Sequence, residues 1–164
     1  MKYAVDPKIF GPPLWITLFT IAHYLDEHSD YINRNEGLKI LYSISYIIPC
    51  GSCRDHTRDF FLRNMHVFQN NTFVYILYKL KDDVNKRLHK RSPRFENIFI
   101  HHWDSDEFLI AMGKSIQYMV QNPMVKEKAL NYFYHFIDCI YTTTLKTPPW
   151  IQCLIELKRD FKNI

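Results

Sequence analysis

Apolar residues recur three and four apart in one run after another along this chain, and that spacing belongs to helices. Leu14, Trp15, Leu18, Phe19, Ala22 and Leu25 form the first run, and Pro12-Pro13 just ahead of it suit a helix start. Leu38, Leu41, Ile44, Ile47 and Ile48 form a second, stopped by Pro49. A third helix is predicted from near Cys50 through Phe60 and Phe61 to about Asn64. Phe73, Ile76, Leu77, Leu80, Val84 and Leu88 keep the spacing unbroken and mark a fourth. Polar turns are expected at Asn33 to Glu36 and at Gln69 to Thr72. Four amphipathic helices with short connections predict an all-α four-helix bundle, here over residues 1–92.

An added helical region is expected from about Asp104, with Phe108, Ala111, Met112 and Ile116 on one face and a break at Asn122-Pro123. Leu130, Phe133, Ile137 and Tyr141 mark a longer helix, Thr142 to Pro149 the next break, and Trp150, Leu154, Leu157 and Phe161 the close. Residues 98–164 thus read as a C-terminal helical extension packed on or beside the bundle, with Lys90 to Asn97 as the candidate linker.

Composition narrows the function classes. Hydrophobic residues make up 47% of the 164, enough for a real core, so disorder is excluded as the main state. Four glycines are too few for a turn-rich sandwich or barrel, and argue against a Gly-rich nucleotide loop. The net charge of +4 is weak support for nucleic acid. The most apolar stretch, Leu38 to Pro49, is interrupted by Lys39, Ser43 and Ser45 and is too short to cross a bilayer. Lys2, Asp6 and Lys8 leave Met1 to Phe10 without an apolar core, so no signal peptide is expected.

The sharpest chemical signal is Pro49-Cys50-Gly51-Ser52-Cys53-Arg54-Asp55-His56. A helix starting here puts both sulfurs in its first turn, where the helix dipole favours a thiolate and Arg54 and Arg58 add to it. A two-residue gap also lets the pair close a disulfide, which is what a dithiol exchanger needs. Two other readings stay open. The cysteines could be buried thiols, or Cys50, Cys53 and His56 could bind zinc, although no second CxxC or paired His motif supplies a fourth ligand and no metal is expected.

Two further segments stand out. The block Lys79 to Arg94 holds Lys79, Lys81, Lys86, Arg87, Lys90, Arg91 and Arg94 against Asp82 and Asp83. It could hold a diphosphate or a nucleic-acid backbone, or be a solvated helix face. Gly11-Pro12-Pro13-Leu14-Trp15 puts Trp15 on one helix face with Phe19, as core or as a platform for a flat ligand.

In this order the three segments resemble the Erv/ALR family of FAD-dependent sulfhydryl oxidases, over roughly residues 9–92. Gly11 and Trp15 match the family's opening Gly-x-x-x-Trp, with Gly11-Pro12 as in some viral members. Pro49, Cys50, Cys53 and His56 match its redox motif, and Val84, Asn85, Leu88 and Lys90 its fourth-helix motif. The chain departs from the pattern where Phe19 replaces a His, Lys81-Asp82 a His-Asn pair and His89 a Gly, and it lacks the C-terminal Cys-x16-Cys pair of cellular members. These departures look viral.

The resemblance implies a helical bundle that holds FAD, often as a homodimer. Such enzymes take two electrons from protein dithiols or thioredoxin-like substrates and pass them to O2, giving a disulfide and H2O2. Carried over, Cys50 is the sulfur that exchanges with the client and Cys53 the flavin-proximal one. Gly11, Trp15, Phe19, His56, Lys81, Val84, Asn85, Leu88 and Lys90 would line the cofactor, with a structural role equally open for His56. No nucleic-acid partner is expected. The implied location is host cytoplasm or virion for a viral protein, otherwise the mitochondrial intermembrane space. A flavin-free dithiol exchanger and a helical binding module with a basic face remain alternatives.

Cys139 and Cys153 are unexplained by the family. Cys139 falls within an apolar periodic run and Cys153 next to Leu154, on stretches expected to pack antiparallel. A structural disulfide there would close a loop of about 15 residues, worth roughly 3 kcal/mol. Two free buried thiols and an electron shuttle are the other readings.

Overall fold

A computed structural model describes residues 6–29, 34–43, 48, 50–64, 66–102 and 105–120. Among them are five α-helices: α1 Pro7–Glu27, α2 Arg34–Ser43, α3 Gly51–Arg63, α4 Phe73–Arg87 and α5 Asp106–Val120. Short 3-10 turns lie at Val67–Gln69 and Phe95–Asn97. No strand occurs among the described residues, as an all-α reading requires.

α1 starts earlier than Pro12-Pro13 suggests. Asp6 is the cap, its carboxylate accepting the Lys8 N–H at 2.9 Å, and Pro7 takes the first helical position. Pro12 and Pro13 fall inside the helix. They leave unmade only the bonds to the carbonyls of Lys8 and Ile9, which lie in its first turn. α2 likewise begins at Arg34, inside the turn expected at Asn33 to Glu36. A tertiary anchor overrides the local polarity: the Arg34 guanidinium donates to the Asn71 carbonyl at 2.6 Å and stands 5.2 Å from the centre of the Phe73 ring. Gly37 completes that contact, because a Cβ there would sit 2.5 Å from Phe73 Cζ. The expected end of this helix, with Ile44, Ile47 and Pro49, lies outside the described residues.

α3 and α4 follow the sequence closely. Cys50 caps α3 and Asn64 closes it, donating from its side chain to the Phe60 carbonyl at 2.9 Å. Thr72 caps α4 by accepting the Tyr75 N–H at 3.2 Å. The Asp26 carboxylate, near the end of α1, accepts the N–H groups of Phe73 at 2.8 Å and Val74 at 3.0 Å. At its other end α4 stops in a Schellman turn: Lys90 N–H donates to Asn85 at 2.8 Å and His89 N–H to Lys86 at 3.2 Å. The turn demands a left-handed residue, and His89 supplies it with φ 55°.

Among the described residues, α1 packs most extensively on α5 and then on α4. Phe108 and Met112 of α5 belong to one apolar core with Leu18, Leu25, Leu41, Phe61, Ile76 and Leu77. Ala111, from the same expected face, is buried as well. The hydroxyls of Thr17 and Ser115 meet at 3.3 Å across the α1–α5 contact.

The segment Lys90 to Asn97, expected as a linker, turns back along α4. Ser92 donates to Asp82 at 2.7 Å and accepts from the Asn85 amide at 3.1 Å. Tyr78 donates to the Pro93 carbonyl at 2.9 Å, and Phe95 packs edge-on against Tyr75 and Tyr78. The helices expected beyond Val120, with Cys139 and Cys153, lie outside the described residues. No described helix is long and apolar enough to cross a membrane.

Candidate functional site

A cleft of about 820 Å³ opens between α1, α4 and the returning strap, with Cys53 and His56 of α3 in its wall. Every position expected to line a cofactor lines it: Gly11, Trp15, Phe19, His56, Lys81, Val84, Asn85, Leu88 and Lys90. Cys53 is among the lining residues and Cys50 is not. Helical spacing explains the gathering. Gly11, Trp15 and Phe19 step along one face of α1, as Lys81, Asn85 and Leu88 do along α4.

Cys50 and Cys53 are free thiols, each partly exposed. The Cys50 sulfur accepts the Cys53 N–H at 3.4 Å and lies 3.2 Å from the Ser52 hydroxyl. Burial pushes Cys50 up, but hydrogen bonds from the Cys53 thiol, the Ser52 hydroxyl and the N–H groups of both residues outweigh it, so Cys50 ends below an ordinary thiol. Cys53 is driven the other way, to about 12, by burial, by its hydrogen bond to Cys50 and by the negative charge there. The pair therefore carries its first thiolate on Cys50. The guanidinium acting on Cys53 is Arg87 of α4, and the donors that lower Cys50 are the thiol, hydroxyl and N–H groups of Cys53 and Ser52.

His56 Nε2 and Asp83 Oδ2 are 2.8 Å apart, within ion-pair distance, and both atoms are buried with no other partner. Burial and then Arg87 hold His56 below the usual histidine range, against the opposing pull of Asp83. The His56 side chain is neutral at pH 7 on that balance.

On the opposite wall the Lys81 ammonium lies 5.4 Å from the centre of the Trp15 ring and 5.9 Å from that of Phe19. The two rings are 6.1 Å apart and tilted by 41°. Burial, then the charge of Lys90, lowers Lys81. Asn85 is buried and locks the turn after α4 through both its carbonyl and its amide. The basic block divides: Lys81, Arg87, Lys90 and Arg91 line the cleft, whereas Lys86 pairs with Asp82 at 3.1 Å and Lys79 stands over Tyr75.

An apolar floor, two aromatic rings and a cationic margin fit a flat ring system that carries phosphates, and the volume lies within the roughly 300–1,000 Å³ of ligand pockets. Tyr78 and the strap residues Ser92, Pro93, Ile98, Phe99 and His101 also line the cleft and were not singled out from the sequence. Tyr78 had a signal, lying three residues before Lys81 on the same face; the strap had none, because only tertiary contacts fold it back.

The chain is similar to proteins named as FAD-linked sulfhydryl oxidases from three viruses. For 096R of Invertebrate iridescent virus 3, identity is 26% over 99 residues, 58% of this chain and 67% of the relative. For 347L of Invertebrate iridescent virus 6 it is 24% over 123 residues, 75% of this chain and 89% of the relative. For FPV093 of Fowlpox virus it is 27% over 74 residues, 45% of this chain and 72% of the relative. No solved structure matches significantly. The family model for Erv1 / Alr matches residues 12–104, which run from Pro12 within α1 through the cysteine pair, α4 and the strap. With the cysteine pair, the ring platform and the basic margin all falling inside that match, the chain belongs to the Erv1 / Alr family.

Proposed function

We propose that this protein is an FAD-dependent sulfhydryl oxidase that makes disulfide bonds in protein dithiols, with O2 as final acceptor and H2O2 as product. The observation that carries the reading is the meeting of Cys53 with all nine expected cofactor positions in one cleft, while Cys50 stays outside it. Bound FAD would supply the two-electron acceptor that discharges to O2. Trp15 and Phe19 offer aromatic faces to its rings, and Lys81 and Lys90 offer charge to its phosphates.

The cysteines divide the exchange. A client thiolate attacks Cys50, the Cys50–Cys53 bond breaks, and Cys53 leaves with the electron pair. The second client thiol then displaces Cys50, which departs readily because its thiolate is stabilised by hydrogen bonds. The client gains a disulfide and the enzyme pair is reduced by two electrons.

Homodimerisation, action in host cytoplasm or virion, and division into a bundle of residues 1–92 and an extension of residues 98–164 belong to the same proposal. So does a structural Cys139–Cys153 bridge.

The test is direct. Purified protein should be yellow, and with dithiothreitol should consume O2 and release one H2O2 per disulfide formed. A colourless protein that exchanges disulfides without O2 uptake would return the reading to a flavin-free exchanger.

A further inference from the structure

His56 and Asp83 form a half-buried couple, its two facing atoms shielded from water, that the exchange described above leaves without a task. His56 stands one turn after Cys53 on α3, and side chains three apart on a helix are neighbours. Helical side chains also lean toward the preceding turn, which here holds Cys53. Both residues line the cleft. Across from them Asp83 Oδ2 of α4 lies 2.8 Å from His56 Nε2, which leaves Nδ1 as the ring nitrogen not engaged by the carboxylate.

We propose that His56 is the proton acceptor for Cys53 and that Asp83 positions and charge-balances its imidazole. In the step, the Cys53 S–H bond breaks, the electron pair stays on sulfur and the proton passes to the imidazole. No electron changes owner. The products are a thiolate at Cys53 and an imidazolium facing the Asp83 carboxylate. When Cys53 is displaced from the disulfide, the same couple can return the proton.

The surroundings call for such a partner. The reduced pair keeps its proton on Cys53, because the neighbouring Cys50 charge and burial both oppose a second thiolate. Electrons can leave Cys53 only once that proton has gone. The charged groups facing His56 are Asp83 and Arg87 from α4 and Arg63 from its own helix. Asp83 favours the imidazolium and the two arginines oppose it, which keeps the base neutral and ready at rest.

The inference rests on Cys53 being the flavin-facing sulfur, so its test needs neither flavin turnover nor O2. In full-length Cys50→Ser protein, Cys53 alkylation by iodoacetamide is followed by peptide mass spectrometry from neutral to strongly alkaline pH. Adding His56→Gln should raise the midpoint by about one pH unit, roughly tenfold less thiolate at neutral pH. Asp83→Asn, with the imidazole still present, should move it the same way by about threefold in rate. Unmoved midpoints in both variants overturn the proposal, and if His56→Gln does not fold, an unmoved Asp83→Asn midpoint overturns it alone. A purely structural role for His56 would lower the melting temperature without moving the midpoint. Failure of the oxidase reading looks different: a colourless protein whose midpoint still shifts.

Discussion

The Lys81 ammonium rests 5.4 Å from the centre of the Trp15 ring, joining the charged and aromatic walls of the cleft in one contact. Burial has already taken much of its water away, so the charge acts in a weaker-screening setting than a surface lysine. Lys81→Gln should weaken flavin retention by about tenfold to a hundredfold, or about 1.4 to 2.8 kcal/mol. Dialysis followed by the absorbance ratio of flavin to protein measures it. Equal retention by both proteins would mean that the phosphates are held elsewhere.

Cys53→Ser and Cys50→Ser should both keep the flavin and lose turnover by about a thousandfold or more, about 4 kcal/mol in barrier. Serine preserves size at either site, so circular dichroism should not change. O2 uptake with dithiothreitol reads the loss. Normal turnover in either variant removes the two-sulfur relay.

His89 sits at φ 55° in the turn that ends α4, a conformation that costs an ordinary residue roughly 1 kcal/mol and glycine almost nothing. His89→Gly should therefore stabilise the protein by about 1 kcal/mol, despite removing a side chain. Chemical denaturation checks the sign. Flavin retention should hold, because the bond from Lys90 N–H to the Asn85 carbonyl is kept.

Asp26 makes the opposite kind of prediction, in pH. Burial raises its carboxyl above 3.8, and the N–H groups of Val74 and Phe73 offset that only in part. A raised carboxyl means that the folded chain binds the proton more tightly than the unfolded chain. Its contribution to stability thus declines as pH rises from about 3.8 through the raised value, and is level above it. Asp26→Asn keeps an acceptor for the cap and cannot ionise. Its stability relative to wild type should improve across that window; a gap that widens instead would reverse the sign assigned to burial.

The helices were legible because burial repeats with their period: Leu18, Leu25, Ile76, Leu77 and Phe108 are all fully or almost fully buried. The cleft positions were legible for the same reason, since Trp15 and Phe19, or Lys81 and Asn85, share a face by spacing alone. What sequence could not yield is contact between elements. The start of α2 depends on Arg34 reaching Asn71, and the His56–Asp83 couple on α3 meeting α4. His89 gives no hint of a left-handed turn because the residue that usually announces one is glycine. Pro12-Pro13 misled for a different reason: tandem prolines are tolerated in an early helical turn, so they mark a neighbourhood and not a boundary.

α5 begins at Asp106, past the last residue of the family match, yet among the described residues it forms the largest contact of the helix that walls the cleft. A gene fragment cut at residue 104 to make a minimal oxidase would keep every cleft-lining side chain and strip the back of α1. Leu18 and Leu25, almost fully sheltered in the intact chain, belong to the core that Phe108 and Met112 complete. Such a fragment would meet water with an apolar seam and would be prone to self-association in expression, even with its chemistry intact on paper.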